Sequence, residues 1–155
     1  MTSEIKTCCV TGHRDIPAEK NERIKKELRR EILQAIEDGY TRFISGFAVG
    51  CDLFFASIVA ELKEENPDLK LEAAIPHRDR MKTPDELFHR LLGACDEVRV
   101  HSEKYKPNCF YNRNKYMVLN SQRIIAVYDG REKGGTVMTM RHAQSLGREV
   151  RVIKI

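Results

Sequence analysis

The segment that indicates the architecture of this chain is Phe43-Ile44-Ser45-Gly46-Phe47-Ala48-Val49-Gly50-Cys51-Asp52. Phe43 and Ile44 predict a short buried strand, and the apolar run from Leu53 to Leu62 predicts a well-buried helix. The glycines between them are typical of the turn that joins two such elements. A strand that passes directly into a helix is half of a β-α-β unit, and such units build parallel sheets.

The same alternation continues on both sides of this segment. Further strands are predicted at Cys8–Val10, Leu69–Ile75, Val98–His101, Ile124–Tyr128 and Val150–Ile155. Further helices are predicted at Glu19–Asp38, Asp85–Ala94, Asn108–Ser121 and from Gly134-Gly135-Thr136 to Leu146. Because the apolar strands are too short to be helices, the pattern predicts a doubly wound α/β fold, with a mainly parallel sheet covered by helices on both faces. We expect one domain over residues 1–155.

Composition narrows the class of protein. With 155 residues, 41% hydrophobic and 32% charged, the chain is typical of one soluble domain with its own core. It lacks an apolar run long enough to span a bilayer, and its first residues lack a signal peptide's apolar stretch, so we expect a cytoplasmic protein. Five cysteines without a Cys-x-x-Cys unit favour a reducing compartment and argue against a metal site.

Charge is distributed unevenly along the chain. Residues 111–155 hold nine Lys or Arg against three acidic residues, a net charge of +6, whereas the whole chain carries +4. A basic segment of this kind suits an anionic ligand such as a nucleotide, a nucleic acid, or simply a solvated surface.

Three predicted strand-to-helix turns carry glycines and polar residues. They are Thr11-Gly12-His13-Arg14, then Ser45-Gly46 with Gly50 and Asp52, and Asp129-Gly130 with Gly134-Gly135-Thr136. In doubly wound sheets ligands bind beyond the carboxyl ends of the strands, where glycines allow close approach and helix N–H groups attract anions. Each turn alone is equally typical of an ordinary tight turn. The chain has neither a Walker motif nor a Gly-x-Gly-x-x-Gly after the first strand, which argues against P-loop enzymes and ordinary dinucleotide dehydrogenases.

The predicted helix at Asn108–Ser121 places an arginine among core residues. Phe110, Arg113, Met117 and Asn120 share one face of this helix. An inward guanidinium needs a partner, which is either a strand-end carboxylate such as Asp52 or Asp129 or the phosphate or carboxylate of a ligand.

Taken together and in this order, the motifs resemble the YpsA-like branch of the SLOG superfamily. The segments are the three turns above, Ala74-Ile75-Pro76, Tyr111-x-Arg113-Asn114-x-Tyr116-Met117-Val118 and Ala126-Val127-Tyr128 before Asp129. The resemblance implies a Rossmann-like sheet and a nucleotide-derived ligand such as NAD or ADP-ribose. It also implies a sensor or regulator in bacterial stress response or division, with a protein partner and possible homodimers.

The ligand-binding residues expected on these grounds differ in the part of the ligand that they would contact. Gly12, Gly46, Gly134, Gly135 and Thr136 would contact phosphate, Arg113 would pair with negative charge, and Asp52 and Asp129 would hold ribose hydroxyls. His13 would touch a phosphate or a base. The remaining candidates are their neighbours Arg14, Ser45, Gly50, Asn114 and Gly130.

Two other functions stay open. The related LOG phosphoribohydrolases carry an Arg and a Met four residues apart, as Arg113 and Met117 are, and a Gly-Thr-x-x-Glu turn whose Glu is catalytic. Here that Glu position is Thr139, so N-glycosidase activity would depend on Asp52 or Asp129. The second alternative is single-stranded DNA binding like that of DprA, with bases stacking on aromatic residues near the basic segment. Those residues are Tyr105, Phe110, Tyr111 and Tyr116.

Overall fold

The computed structural model describes residues 4–155, which contain a six-stranded sheet and five α-helices. The strands are β1 Lys6–Gly12, β2 Tyr40–Ser45, β3 Lys70–Ile75, β4 Glu97–Val100, β5 Arg123–Tyr128 and β6 Glu149–Lys154. The helices are α1 Asn21–Glu37, α2 Cys51–Glu65, α3 Glu86–Gly93, α4 Cys109–Leu119 and α5 Gly135–Ser145. Two short 3-10 turns lie at Ala18–Lys20 and Arg78–Lys82.

All neighbouring strands run parallel, in the order β4-β3-β2-β1-β5-β6. Helices α1, α2 and α3 pack together, and α4 packs against α5. The predicted doubly wound α/β class is therefore confirmed. None of the helices within residues 4–155 combines the length and apolar character that a transmembrane helix requires.

Consecutive strand residues divide between two cores, because successive side chains point to opposite faces of a sheet. Phe43 packs with the core under α1 to α3, whereas Ile44 packs with the core under α4 and α5. Ala73 and Ala74 in β3 divide in the same way. In the central strands β1, β2, β3 and β5 both faces are largely buried, so most of their residues are buried along their length. The edge strands β4 and β6 alternate between charged and apolar residues and are largely exposed.

The order of the strands creates a switch point. From β1 the chain builds the sheet outward in one direction through β2, β3 and β4, then returns to place β5 on the other side of β1. A crevice forms outside the carboxyl ends of the strands where the direction reverses, which is the usual ligand position in such folds.

Candidate functional site

A cleft of about 350 Å³ lies at this switch point, beyond the end of β1 and beside the start of α5. Four parts of the chain line it: Val10 to Asp15, Ala48 with Asp52, the α4 residues Phe110, Arg113, Asn114 and Met117, and Arg131 with Gly134, Gly135 and Thr136. The volume is within the range of small-molecule sites, roughly 300–1,000 Å³.

The cleft brings together nine of the fourteen residues that the sequence suggested. They are Gly12, His13, Arg14, Asp52, Arg113, Asn114, Gly134, Gly135 and Thr136. The other five do not line it: Ser45, Gly46, Gly50, Asp129 and Gly130. Ser45, Gly46 and Asp129 instead form hydrogen bonds with residues that line the cleft.

Arg113 is the most deeply buried charged group of the cleft, with 4% of its surface exposed. Its Nη1 donates to the carbonyl oxygens of Gly46 at 2.7 Å and Ala74 at 3.2 Å, and its Nε donates to Oδ1 of Asn114 at 2.7 Å. Burial lowers the pKa of Arg113 to about 10, while the charge of Asp52 opposes this shift. Within residues 4–155 its guanidinium forms no ion pair, and Nη2 has no hydrogen-bond partner. The salt bridge to Asp52 or Asp129 that the sequence allowed is thus absent from this part of the chain.

The turn after β2 holds Asp52 beside this arginine. Phe47 adopts a φ of 58°, a left-handed conformation that is rare for residues other than glycine. The turn directs the N–H of Ala48 to Oδ2 of Asp52 at 3.2 Å, and the hydroxyl of Ser45 donates to the carbonyl oxygen of Asp52 at 2.8 Å. Burial raises the pKa of the Asp52 carboxyl, and the nearby charge of Arg113 opposes the rise. Ser45 is therefore a structural residue of the turn.

A polar network closes one side of the cleft. Nε2 of His13 lies 3.1 Å from Oδ1 of Asp129, and Arg131 donates to both carboxylate oxygens of Asp129. Arg131 also reaches Asp15, which its Nη2 contacts at 2.8 Å. Burial lowers the pKa of His13, with a smaller contribution from Arg131, so the imidazole is neutral at neutral pH. The hydrogen bond from Arg131 holds the pKa of Asp129 well below its usual range.

Arg131 is a residue of the cleft that the sequence did not single out. It lies in a polar loop between Gly130 and Gly134, whose φ angles are +92° and +134°. Both carboxylate oxygens of Asp129 already accept hydrogen bonds from Arg131, and Asp129 does not line the cleft. Asp129 thus fixes Arg131 and His13 at the wall of the cleft.

The start of α5 faces the cleft with free backbone donors. The helix begins at Gly135 after Gly134, no side chain among residues 4–155 caps it, and its first turn holds no acidic residue. Thr136 is 4% exposed and lines the cleft. The unpaired N–H groups and the dipole at such an N-terminus favour an anion. Thr139, at the position of the LOG glutamate, instead donates its hydroxyl to the carbonyl oxygen of Gly135 at 2.8 Å.

Cys51 lies under the cleft, against the first turn. Its thiol is buried, and burial raises its pKa to about 12, so it is not a thiolate at neutral pH. A Cβ at Gly12 would lie 2.8 Å from Sγ of Cys51. Gly12 is therefore required by packing as well as by access to the cleft.

Two bacterial UPF0398 proteins match most of this chain in sequence. A UPF0398 protein of Bacillus cereus (strain B4264) is 29% identical over 156 residues, which cover 92% of this chain and 85% of the relative. A UPF0398 protein of Bacillus thuringiensis (strain Al Hakam) has the same identity and coverage.

Two solved structures share the fold at low sequence identity. DNA processing protein A from Helicobacter pylori, described for its single-stranded DNA binding mode, has a TM-score of 0.65 and 18% identity. The match covers 95% of this chain and 64% of that one. TM1055, a structural genomics target, has a TM-score of 0.60 and 16% identity, over 94% of this chain and 72% of its own.

The resemblance that the sequence motifs suggested is confirmed by a family model. The model of the YspA SLOG family matches residues 8–153, which is nearly the whole chain. This chain belongs to the YspA SLOG family.

Proposed function

We propose that the cleft binds the phosphate of a nucleotide or of a nucleotide-derived ligand such as NAD or ADP-ribose, and that the protein acts as a sensor or regulator through this binding. The observation that carries the proposal is the buried Arg113, which lines the same cleft as the uncapped N-terminus of α5. Two independent anion-attracting features therefore meet in one space of suitable volume.

The charges around the cleft support an anionic ligand. Arg14 and Arg131 line it together with Arg113, whereas Asp15 and Asp52 are the acidic residues that line it. Asp15 is already paired with Arg131, and the three arginines outnumber the two aspartates even when Asp52 is charged. The balance of charge in the cleft is therefore positive, and a phosphate entering it would be attracted.

We assign the contacts as follows. The N–H groups of Gly135 and Thr136 and the hydroxyl of Thr136 bind the phosphate oxygens, and Nη2 of Arg113 pairs with its negative charge. Asp52 binds a ribose hydroxyl. The sequence motifs suggest that Asp129 also binds a ribose hydroxyl. However, both carboxylate oxygens of Asp129 accept hydrogen bonds from Arg131, so we assign Asp129 to the positioning of Arg131.

The proposal is tested by calorimetric titration of the protein with AMP, ADP-ribose and NAD. Thr136→Val should lower the affinity for the ligand that binds most tightly about tenfold, because a hydrogen bond to a charged group is lost. Thr41→Val is the matched control, since Thr41 lies in β2 and does not line the cleft. Arg113→Lys should also weaken binding, because the amine keeps the charge but loses the planar fork. Thermal unfolding of each variant checks that it is folded.

A salt titration separates this function from single-stranded DNA binding. If an oligonucleotide binds with a steep salt dependence and the mononucleotides do not bind, the cleft does not serve the proposed function. Unchanged affinity in both Thr136→Val and Arg113→Lys would likewise overturn the assignment.

A second candidate, N-glycosidase activity, is favoured by the buried carboxyl of Asp52 in the cleft. A carboxylate near the ribose can stabilise an oxocarbenium-like transition state. Because Thr139 stands where the LOG glutamate would be, the reaction would depend on Asp52. Release of free base from AMP, abolished in Asp52→Asn, would establish this activity, whereas recovery of intact AMP after long incubation would exclude it for this substrate.

A further inference from the structure

A second pocket, of about 190 Å³, lies between α4 and α5, and we name it the α4–α5 pocket. Phe110 and Tyr111 from α4 and Met138 and His142 from α5 form its walls. Tyr111 and Met138 are large side chains that are 50% and 54% exposed. Thr136 and Arg113, whose hydroxyl and guanidinium we assign to the phosphate, do not line this pocket.

The α4–α5 pocket is continuous with the cleft. Phe110, Asn114 and Gly135 line both spaces. Gly135 is the first residue of α5 and one of the groups to which we assign the phosphate. A ligand anchored there has the α4–α5 pocket directly beside its phosphate.

The two spaces differ in chemistry. Three arginines line the cleft, whereas aromatic rings and a thioether belong to four of the eight residues that line the α4–α5 pocket. Lys115 also lines the pocket, but its side chain is exposed and can keep its ammonium in water. A molecule that joins an anionic phosphate to a flat, largely apolar ring matches both spaces at once.

We propose that the α4–α5 pocket holds the nucleobase of the ligand whose phosphate binds in the cleft. The ligand is then a nucleoside 5′-phosphate or a larger molecule that contains one. This inference rests on the proposed function of the cleft, and it adds the part of the ligand that the cleft does not specify.

The polar groups of the α4–α5 pocket indicate how the base is selected. The hydroxyl of Thr139 is already donated to the carbonyl oxygen of Gly135. Oδ1 of Asn114 accepts from Nε of Arg113, which fixes the orientation of the amide. Nδ2 of Asn114, with no acceptor in residues 4–155, is thereby available at the junction of the two spaces and donates to a ribose hydroxyl. Nε2 of His142, which is buried with no hydrogen-bond partner in residues 4–155, remains to contact the edge of a base. With so few edge contacts, contact area contributes most of the affinity.

Selection by contact area has a measurable signature. Purines should bind more tightly than pyrimidines. Adenine and guanine should be nearly equivalent, because an imidazole nitrogen such as Nε2 of His142 donates or accepts according to its tautomer. In calorimetric titrations, AMP and GMP should bind about tenfold more tightly than ribose 5-phosphate, because stacking of a base on aromatic side chains adds affinity without readout of its edge. UMP should lie between AMP and ribose 5-phosphate.

Two variants and two matched controls test the position of the base. Met138→Ala and Tyr111→Ala should each reduce the preference for AMP over ribose 5-phosphate about fivefold, through lost apolar contact, while ribose 5-phosphate binds as before. Met140→Ala, on the same helix, and Tyr105→Ala, at a tyrosine that is 60% exposed, should retain the preference, because neither residue lines the pocket. All four side chains are at least partly exposed, so the variants should fold.

The outcomes separate the two proposals. If AMP and ribose 5-phosphate bind equally well, the phosphate function stands and the base subsite is wrong. If no phosphorylated ligand binds, both are wrong. A preference for AMP that survives both Met138→Ala and Tyr111→Ala overturns the position of the base. Sedimentation that shows a dimer broken by these two substitutions also overturns it, because the pocket is then covered by a second copy of the chain.

Discussion

The carbonyl oxygen of Gly46 accepts a hydrogen bond of 2.7 Å from Nη1 of Arg113, which ties the turn after β2 to helix α4. Gly46 has no side chain, and the space that a side chain would take is filled by the guanidinium and by the carboxyl of Asp52. The charged side of the cleft is thus packed around a backbone position, and its geometry depends on that position remaining small.

Gly46→Ala should destabilise the protein by about 1–3 kcal/mol, the usual cost of overpacking. The added Cβ would lie 2.7 Å from Nη1 of Arg113 and 2.8 Å from Oδ2 of Asp52. Urea denaturation measures the change. Gly93→Ala is the control, since a Cβ there meets no atom within 4 Å, and alanine should stabilise the end of α3 by up to about 1 kcal/mol. Equal stability of the two variants would mean that Arg113 is free to move.

Tyr116→Phe should cost about 1.5–3 kcal/mol, the usual worth of a hydrogen bond to a charged group. The Tyr116 hydroxyl donates to Oε2 of Glu72 at 2.6 Å, and this carboxylate, 2% exposed, also pairs with Arg42. Tyr105→Phe should change stability by less than about 0.5 kcal/mol, because Tyr105 is largely exposed. A loss below 0.5 kcal/mol for Tyr116→Phe would show that water replaces the hydroxyl.

His13 should titrate below its ordinary pKa of about 6.5. Burial favours the neutral ring, Arg131 lowers the pKa further, and Asp129 opposes both. Arg131→Ala should therefore raise the pKa of His13 and Asp129→Asn should lower it, as followed by NMR of the imidazole C–H groups. Arg29→Ala, which removes a surface pair with Glu61, should leave it unchanged. A midpoint at or above 6.5 in the wild-type protein would contradict the assigned environment.

Arg131→Ala should flatten the acid dependence of stability below about pH 4, the ordinary pKa of an aspartate. Arg131 lowers the pKa of Asp129 and of Asp15 in the folded protein, so their stabilisation is present above the unfolded-state pKa and is lost as the pH falls. Arg131→Ala lacks that contribution, so its free energy of unfolding should fall less steeply as the pH is lowered. Denaturation at several pH values tests this, with Arg29→Ala expected to keep the wild-type slope. Parallel slopes for Arg131→Ala and the wild type would show that the network adds no stability.

Local sequence was sufficient to predict all six strands, because short runs rich in apolar and β-branched residues are a signal contained within each strand. It was less informative about where they end. The first strand was predicted at Cys8–Val10, but β1 runs from Lys6 to Gly12. Its extra residues pair with Tyr40 in β2 and Val127 in β5, and such partners lie far away in the chain.

The same limit applies to the cleft. Arg113 could be found from its place on an apolar helix face, since that pattern is local. Arg131 could not, because a single arginine in a polar loop has no periodicity, and its partner Asp15 is 116 residues away. The sequence does not predict the α4–α5 pocket for the same reason, although it suggests two of its aromatic residues, Phe110 and Tyr111, as stacking candidates.

The adjacency of β1 and β5 has a consequence for how the molecule would come apart. The first turn and the loop after β5 meet at the cleft only because these two strands pair at the centre of the sheet. A ligand that contacts both sides would act as a noncovalent crosslink between the first and the last third of the chain. Ligand binding would therefore slow the amide hydrogen exchange that requires global unfolding, including that of β1 and β5. It would not protect the amides of the loops alone.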